Sequence, residues 1–550
     1  MILCLLISIT ILNAIDIPHS FDFNSSISYR SSSNNGLSSN TIIDFEKYSD
    51  TSVFMGTTNG LNFGFYDSEL SYYFENFLST SNMVEGSNSS LVVKDDIIAT
   101  AGAKTSETSI GDYPEGTGVS YSINGGESWN YIPQPKDDLY EDINTWGCPW
   151  SETNELYTSE TECDDICLKC DGKEGQCVMY NYISWGEQSD IRNFSVTIEI
   201  QNITYDLAIH DDYIYAASWA GSLRRFNYTI DNPIWEVVPL PMDNQDTLDC
   251  NFISPSYQIN PIGNSTESCG YEFDNHKVFS VSSINDTLWV GTAAGINKGV
   301  VQDDDCIDWE RMSANDYGFY DDWIIGFEHQ VLDENTNRIW AITWDRRYDG
   351  SHEVYGGPPS YTDDGGKTWN IVYDLLDRKI ITYNISPYSD RIYISSDQGL
   401  FLSYDAILWE EIMQSQIVEE AVLDVEFFDG LNQLWASSQD NIDILNLESD
   451  ESFIASSIGD IDLDFYAYPN PIIGNQSIKF AYDGDEQNLN GIITIYDFSL
   501  DRVIEIEASG WTVWDGKNEY GEKVANGVYL CKYTHYNNNV YSFNIMVINK

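Results

Sequence analysis

The stretch "VFSVSSINDTLWVGTAAGINKG", residues 278–299, carries the pattern that decides the fold. Apolar and polar residues alternate up to an Asn-Asp pair, and a second apolar run then ends in small residues before alternation resumes. Alternation with a period of two, interrupted by Asn, Asp and Gly, is typical of β-hairpins. The stretch therefore predicts three successive antiparallel strands.

The same pattern recurs along the chain, which indicates a repeat architecture. We predict repeats that start near residues 41, 91, 205, 278, 325, 380 and 422. Insertions follow the second and third repeats and interrupt the second and fifth. Seven four-stranded units of this size match a β-propeller, because radial repetition leaves only short, protected sheet edges.

These repeats resemble the propeller repeats of the periplasmic sensor halves of two-component regulators, over about residues 40 to 447. The resemblance implies the fold alone. A sensor role is not implied, because we find neither a kinase segment nor a membrane span after the repeats.

Two phrases in different repeats are nearly identical, "YSINGGESWN" at 121–130 and "YTDDGGKTWN" at 361–370. Both resemble the Asp-box, S/T-x-D-x-G-x-T-W, which implies a structural turn. We expect the Asx side chain to accept hydrogen bonds from the turn backbone, the second glycine to take a positive φ and the tryptophan to pack beneath. The motif positions are Ser122, Asn124, Gly126, Ser128 and Trp129 in the first copy, and Thr362, Asp364, Gly366, Thr368 and Trp369 in the second.

The chain is strongly acidic, with 88 Asp and Glu against 26 Lys and Arg and a net charge of −62. Such a protein repels phosphate backbones and anionic membranes, so we exclude nucleic acid as a partner. The acidic residues are spread out, which favours a solubilising surface coat. Carboxylate clusters that bind Ca²⁺ are the alternative, and we expect no other cofactor.

The first residues, "MILCLLISITILNA", predict a signal peptide over residues 1–14. We expect the mature chain to have no membrane span. In an exported chain, cysteines normally form disulfides. We expect two disulfides within an insertion near residues 140–185, and a further one between Cys250 and Cys269. The candidate cysteines of the insertion are Cys148, Cys163, Cys167, Cys170 and Cys177. Zinc binding or an iron–sulfur spacing in "CDDICLKC" are the alternatives.

From residue 464 the sequence changes character. The phrases "YPNP", "ITIYD", "WDGKNEYGEKVANGVYL" and the terminal "NIMVINK" closely resemble the type IX secretion C-terminal sorting domain and the related FlgD-type immunoglobulin-like domain. Hairpin dipeptides and alternating strands independently predict a small β-sandwich. The resemblance implies that outer-membrane secretion machinery reads residues 464–550 as an address. Residues 448–463 are a predicted flexible linker.

The predicted fold is therefore all-β, with a seven-bladed β-propeller over residues 22–447 followed by a small Ig-like sandwich. We expect a secreted or cell-surface protein, exported through the periplasm and outer membrane. Its expected role is to bind a glycan, a peptide or an envelope partner rather than to act as an enzyme. A propeller-type glycoside hydrolase or lyase and a structural part of an envelope assembly are the alternatives.

The most site-like segment is the insertion "TWDRRYDGSHEVYGGPPSY", residues 343–361. Long loops of this kind often carry function. The alternative is that its arginines pair with the acidic surface. The candidate ligand-binding residues are Trp344, Arg346, Arg347, His352 and Tyr355.

Overall fold

A computed structural model describes residues 37–67, 71–108, 111–137, 180–194, 197–200, 202–254, 257–261, 273–333, 336–345, 355–412, 421–438, 442–447, 452–455, 465–468, 472–473, 477–482, 489–496, 502–510, 512–536 and 540–548. Contacts divide the chain into two compact units. The described residues from 37 to 455 belong to the propeller unit, and those from 465 to 548 to the C-terminal unit.

The first two sheets of the propeller unit are four-stranded antiparallel meanders followed by a hairpin. Sheet 1 contains β1 (Ile42–Ser49), β2 (Ser52–Thr57), β3 (Gly60–Asp67) and β4 (Ser71–Asn76). Sheet 2 contains β5 (Ser87–Lys94), β6 (Ile97–Thr108), β7 (Gly111–Ser122) and β8 (Asn130–Ile132). The hairpin consists of β9 (Tyr180–Trp185) and β10 (Gln188–Phe194).

Two further meanders follow, with two short strands between them in the chain. Sheet 3 contains β11 (Asp206–His210), β12 (Tyr213–Ser218), β13 (Ser222–Asn227) and β14 (Glu236–Val237). Then come β15 (Thr247–Leu248), which joins the edge of sheet 4, and β16 (Gln258–Ile259), which pairs with β10. Sheet 4 contains β17 (Val278–Ile284), β18 (Thr287–Thr292), β19 (Gly295–Val301) and β20 (Ile307–Met312).

Three further sheets are described in the propeller unit. Sheet 5 contains β21 (Trp323–Val331), β22 (Asn337–Asp345), the short β23 (Tyr355–Gly356), β24 (Ser360–Thr362) and β25 (Asn370–Ile371). Sheet 6 contains β26 (Thr382–Tyr388), β27 (Arg391–Ser396), β28 (Gly399–Ser403) and β29 (Glu410–Glu411). Sheet 7 contains β30 (Asp424–Phe428), β31 (Gln433–Ser437), β32 (Ile442–Asn446) and β33 (Ser452–Ala455).

Helical structure among the described residues is confined to short segments between strands. They are α1 (Ala314–Tyr317), α2 (Tyr373–Arg378) and the 3-10 turns Asp274–His276 and Asp429–Leu431. None of the helices described is long and apolar enough to cross a bilayer.

The seven sheets form a closed ring. The first strand of each sheet contacts the first strand of the next, in the order β1, β5, β11, β17, β21, β26, β30, and β30 contacts β1 again. Meander sheets arranged radially around their first strands define a β-propeller. The prediction of an all-β propeller is confirmed.

The second strands are buried on both faces because each sheet is packed between two others. In six sheets the second strand places a nearly fully buried aromatic ring in the core, at Phe54, Tyr215, Trp289, Trp340, Tyr393 and Trp435. Glycines follow two residues after Phe54 and Trp289, where the next sheet comes close. A Cβ at Gly56 would lie 2.3 Å from Asn88 Oδ1, and one at Gly291 would lie 2.4 Å from the Ile324 carbonyl oxygen.

Side chains rather than a shared strand join sheet 1 to sheet 7 in the described residues. The Phe45 backbone N–H donates to Asp424 Oδ2 at 2.6 Å. Lys47 Nζ forms an ion pair with Glu426 Oε1 at 2.6 Å and donates to the Phe427 carbonyl. We call this interface the seam.

Sheet 7 extends further than the sequence indicates. β33 lies inside the predicted linker of residues 448–463 and pairs with β32. The propeller end at residue 447 is therefore wrong, because the short "SFIA" segment completes the fourth strand.

The predicted pairing of Cys250 with Cys269 is also wrong, because Cys250 is bonded to Cys306. β15 pairs antiparallel with β20, placing Leu248 opposite Trp309, so the chain brings Cys250 to the start of β20. The turn between β9 and β10 covers this disulfide. A Cβ at Gly186 would meet the Cys306 sulfur at 3.0 Å. Cys269 and the five cysteines of the insertion lie outside the described residues.

The C-terminal unit consists of two sheets packed on one apolar cluster. Its strands are β34 (Phe465–Tyr468), β35 (Ile472–Ile473), β36 (Ile478–Tyr482), β37 (Asn490–Tyr496), β38 (Arg502–Ser509), β39 (Thr512–Trp514), β40 (Gly527–His535) and β41 (Val540–Ile548). One sheet has the order β34-β36-β39 and the other β35-β41-β40-β37-β38. The buried Trp514 donates from Nε1 to the Lys517 carbonyl at 2.8 Å, which holds the "WDGKNEYG" hairpin.

Replacing both Cys250 and Cys306 with Ala should lower the free energy of unfolding of the propeller by about 2–4 kcal/mol, because the unfolded chain loses a long closed loop. Urea unfolding under non-reducing conditions, followed by tryptophan fluorescence, measures this change. The single Cys306→Ala variant should lose a similar amount, since one thiol closes no loop. An unchanged urea midpoint in the double variant would contradict the prediction.

Candidate functional site

The two predicted turn motifs form closely similar loops, one between β7 and β8 and the other between β24 and β25. The Thr368 backbone N–H donates to Asp364 Oδ1 at 2.9 Å, and its hydroxyl donates to Asp364 Oδ2 at 2.7 Å. In the first loop the Ser128 N–H donates to Asn124 Oδ1 at 3.0 Å. The Asx side chains are thus engaged by their own turns.

The first hydroxyl of each motif holds the glycine. The backbone N–H donates to this hydroxyl at 2.9 Å in both loops, Gly126 to Ser122 and Gly366 to Thr362. Both glycines have positive φ, 89° and 96°, which other residues rarely adopt. Trp129 and Trp369 are buried beneath.

Sheet 6 contains a third loop of this kind, which the sequence analysis missed. Asp405 Oδ1 accepts the backbone N–H groups of Ile407 and Leu408 at 2.9 and 3.0 Å, and Trp409 is buried. The Ser403 hydroxyl accepts the Ala406 N–H at 3.0 Å. This loop is one residue shorter than the motif and has no glycine, so an alignment on glycine does not find it.

The predicted ligand-binding insertion begins and ends on sheet 5. Trp344 is not in a loop, because the alternation of "NRIWAITWD" continues β22 to Asp345, and the residue is only 5% exposed. Tyr355 opens β23 and pairs with Asp345. Arg346, Arg347 and His352 lie outside the described residues. The segment therefore leaves and rejoins the sheet beside Trp323, the β21 partner of Trp344.

A cavity of about 540 Å³ lies inside the ring of first strands. We call it the channel. Six carboxylates line it, contributed by the first strands of sheets 1, 3, 5 and 7: Asp44, Glu46, Asp206, Glu328, Asp424 and Glu426. Residues two apart on a strand face the same side, which explains the pairs on β1 and β30.

Hydrogen bonds from backbone N–H groups orient three of these six carboxylates. Asp44 accepts the Leu91 N–H of sheet 2 at 3.0 Å, and Asp206 accepts the Val281 N–H of sheet 4 at 2.9 Å. Asp424 does the same for sheet 1 across the seam. Each of the three therefore fastens its sheet to the next one.

The sequence contains a signal for this ring that the analysis did not use. The buried aromatic residue of the second strand aligns six repeats, because the first-strand residue that pairs two positions after it always falls at one position. In that alignment Asp44, Asp206 and Asp424 share one position, and Glu46, Glu328 and Glu426 share the position two residues later. With 88 acidic residues in the chain, acidity alone singles out none of them.

Burial and mutual repulsion raise the pKa values of the channel carboxylates. Burial raises the pKa of Asp44 to about 8, with the charge of Asp206 adding to the effect, and burial raises the pKa of Asp206 to about 7. Burial and neighbouring carboxylates hold the pKa values of Glu46 and Glu328 well above their ordinary range. For Glu426, burial raises the pKa, while Lys47 opposes the shift.

These shifts have a consequence for stability. A carboxyl whose pKa is raised in the folded state binds its proton more tightly there than in the unfolded chain. For Asp44 the pH range of this effect runs from about 4, its ordinary pKa, to about 8, its pKa in the folded protein. Its contribution to folding stability is therefore complete in acid and decreases as pH rises through that range.

The basic side chains at the channel are already bonded. Lys47 belongs to the seam, Lys94 Nζ donates to the Ile209 carbonyl at 3.3 Å, and His329 Nε2 contacts Asn337 Oδ1 at 2.9 Å. Within the described ranges, no three of the His, Cys, Asp and Glu side chains are grouped so that they could hold one metal ion.

An aromatic cluster adjoins the channel at the end of the propeller where the first strands begin, which we call the top face. Phe279 lies 5.2 Å from Trp219, 5.4 Å from Trp323 and 6.3 Å from Tyr205, measured between ring centroids. All four rings are half-buried, and Tyr205 also lines the channel. We call these four residues the aromatic patch.

No protein-family model matches the sequence, and neither does any curated protein. Solved structures are similar in fold. PorZ, an essential bacterial surface component of the type IX secretion system of Porphyromonas gingivalis, is 12% identical with a TM-score of 0.30, over 94% of this chain and 82% of PorZ.

Two other structures are similar to a comparable degree. The extracellular domain of a one-component system of B. thetaiotaomicron is 11% identical with a TM-score of 0.31, over 94% of this chain and 81% of that domain. The β-propeller domain of Myceliophteria thermophila Cps50 is 10% identical with a TM-score of 0.37, over 77% of this chain and 99% of that domain. Because these TM-scores are below 0.5, the function proposed below rests on the residues of this chain.

Asp364→Ala should lower the free energy of unfolding by about 1–2 kcal/mol, because the three hydrogen bonds that its carboxylate accepts from Thr362 and Thr368 are lost. Asp364→Asn is the matched control and should cost less, since Asn124 closes the first loop with an amide. Chemical denaturation of the two variants measures the difference. Equal losses in both variants would contradict this account of the loop, and a loss of ligand binding at unchanged stability would indicate a functional site.

Proposed function

We propose that the protein is an exported, cell-surface or secreted β-propeller that binds a peptide segment of a partner on its top face. The observation that carries this proposal is the aromatic patch, which is half-buried and meets the channel at Tyr205. Large aromatic side chains next to a concave cavity are typical of binding sites.

The position of the patch supports a binding role. Trp219 lies in the turn between β12 and β13, Phe279 and Trp323 lie on the first strands of sheets 4 and 5, and Tyr205 precedes β11. Three neighbouring sheets thus hold the patch in place, so little side-chain freedom is lost when a ligand binds. The described ends of the predicted binding insertion, Asp345 and Tyr355, lie on sheet 5 beside Trp323.

The geometry of the rings favours a peptide over a glycan. A sugar ring stacks on a flat aromatic surface, whereas here the rings are inclined to one another. The interplanar angles are 40° for Trp219 and Phe279, 48° for Phe279 and Trp323, and 66° for Trp219 and Trp323. Inclined rings form a shallow apolar recess that suits an apolar side chain.

A glycoside hydrolase is the second candidate, because carboxylates converge in the channel. Such enzymes need one carboxylic acid and one carboxylate on either side of the scissile bond. Asp44, Asp206 and Asp424, however, already accept backbone N–H groups from neighbouring sheets. This structural use of half the carboxylates favours binding over catalysis.

The Trp219→Ala/Trp323→Ala double variant should weaken peptide binding roughly 10-fold or more, the scale of losing an aromatic anchor at the centre of an interface. Peptides selected from a random display library on the full-length protein supply the ligands, and fluorescence anisotropy measures their affinity. Tyr404→Ala is the matched control, because Tyr404 is 65% exposed and lies in the third turn loop of sheet 6.

Unchanged affinity in the double variant would place the binding site elsewhere. A glycan array that yields ligands for the protein when the peptide library yields none would favour a glycan. Hydrolysis of such a glycan by the full-length protein would favour the enzyme.

We further propose that the seven sheets are the complete set of blades and that residues 464–550 are an Ig-like sorting domain of the type IX secretion system. The support for the domain is the order of its sequence phrases, together with two described sheets that share one core. With a signal peptide over residues 1–14, this gives an export route through the periplasm and the outer membrane. The secretion machinery would then be a partner of the C-terminal domain.

Deleting residues 464–550 should leave the propeller in the periplasm of its own host, because the address is lost. Cell fractionation and surface protease accessibility measure the distribution. A truncation at residue 536, which removes only β41, is an informative comparison and should also fail, because the terminal strand lies inside the larger sheet. Normal surface delivery of the protein without residues 464–550 would rule out the sorting role.

A further inference from the structure

The geometry points to the channel as a receptor for a positively charged side chain, a lysine or arginine of the bound peptide. This inference rests on the proposed function. Its basis is the juxtaposition of six carboxylates from four first strands around one cavity, which Tyr205 of the aromatic patch also lines.

Charge in the channel is strongly unbalanced. Titratable groups that face it are Asp44, Glu46 and Lys47 on β1, Lys94 on β5, Tyr205 and Asp206 at β11, Glu328 and His329 on β21, Tyr383 on β26, and Asp424 and Glu426 on β30. Lys47 neutralises Glu426 at the seam, and Lys94 is bonded to a backbone carbonyl. Within the described residues, Glu46 and Glu328 accept no hydrogen bond.

A second, independent observation indicates a ligand. Ser89 lines the same cavity and is only 4% exposed, yet its hydroxyl forms no hydrogen bond among the described residues. Buried hydroxyl groups normally have a partner, since leaving one unpaired costs free energy. An ammonium or guanidinium group in the channel would supply a donor to this oxygen as well as to the carboxylates.

The size of the cavity favours an organic cation. Calcium needs six to eight oxygen ligands at about 2.3–2.6 Å around one point. Here the carboxylates are distributed over four sheets around a cavity of about 540 Å³. An extended side chain with a terminal cation fills such a space better than a single ion does.

Protonation should be coupled to binding. In the free protein, burial and repulsion favour protonated carboxyls, and a cation that enters favours their ionised forms. Binding must then release protons. The affinity should strengthen as pH rises from about 6 to about 8, because progressively fewer protons have to leave.

Two peptides that differ in one charge test the inference, acetyl-Phe-Lys-Phe-amide and acetyl-Phe-norleucine-Phe-amide. The full-length protein should bind the lysine peptide roughly 10- to 100-fold more tightly, the scale of hydrogen bonds to a charged group. Glu46→Gln/Glu328→Gln should remove most of this preference and leave the affinity for the norleucine peptide unchanged. Titration calorimetry in two buffers of different ionisation enthalpy should show net proton release with the lysine peptide only.

The matched control is Asp231→Asn/Glu411→Gln, which removes two exposed charges outside the channel. It should keep the lysine preference, because general attraction to an acidic surface is not the cause. Equal affinities for the two peptides would overturn the inference, as would an equal loss in the control variant. A different result would replace the cation receptor with a metal site. In that case the protein shows no lysine preference but binds calcium in the micromolar range, and Glu46→Gln/Glu328→Gln abolishes the calcium binding.

These outcomes separate the two proposals. If Trp219→Ala/Trp323→Ala binds neither peptide and the unmodified protein shows no lysine preference, the proposed function stands and the cation receptor is ruled out. A lysine preference that depends on Glu46 and Glu328 but not on the aromatic patch would support the cation receptor and rule out the patch as the peptide-binding site.

Discussion

Closure of the ring of sheets is the constraint on which the rest of the structure depends. Each sheet can bury both faces of its second strand only if a neighbour covers each face, and the last sheet must therefore meet the first. Near the axis the sheets come so close that Gly56 and Gly291 have no room for a Cβ. Across the seam the Phe45 backbone N–H bonded to Asp424 and the side-chain contacts of Lys47 take the place of a shared strand.

The same constraint creates the channel. First strands that surround an axis leave backbone N–H groups directed toward the preceding sheet, and Asp44, Asp206 and Asp424 accept them. Carboxylates that fasten the ring are thereby gathered in one cavity, where burial and repulsion raise their pKa values. Stability and binding are linked in this way, because a cation in the cavity would relieve the repulsion that ring closure imposes.

The turn motifs show how far local sequence can specify structure. A serine or threonine, an Asx residue two positions later and a buried tryptophan determine the loop, since the hydrogen bonds of the Ser, Thr and Asx side chains lie within eight residues. The loop at Asp405 forms the same kind of bonds without glycine, because Ala406 adopts a positive φ of 63° within a packed setting. The hydrogen bonds of the motif are therefore retained where its characteristic residues are not.

By itself, the sequence determined the all-β class, the repeat positions and the turn loops, because alternation and turn chemistry are local properties. It misplaced the end of the propeller, since four residues such as "SFIA" form a strand only when a neighbouring strand accepts them. The partner of Cys250 depended on the pairing of β15 with β20, which brings together residues that are far apart in the sequence. The channel and the aromatic patch were decided only by tertiary structure, because their residues come from different sheets and meet only when the ring is closed.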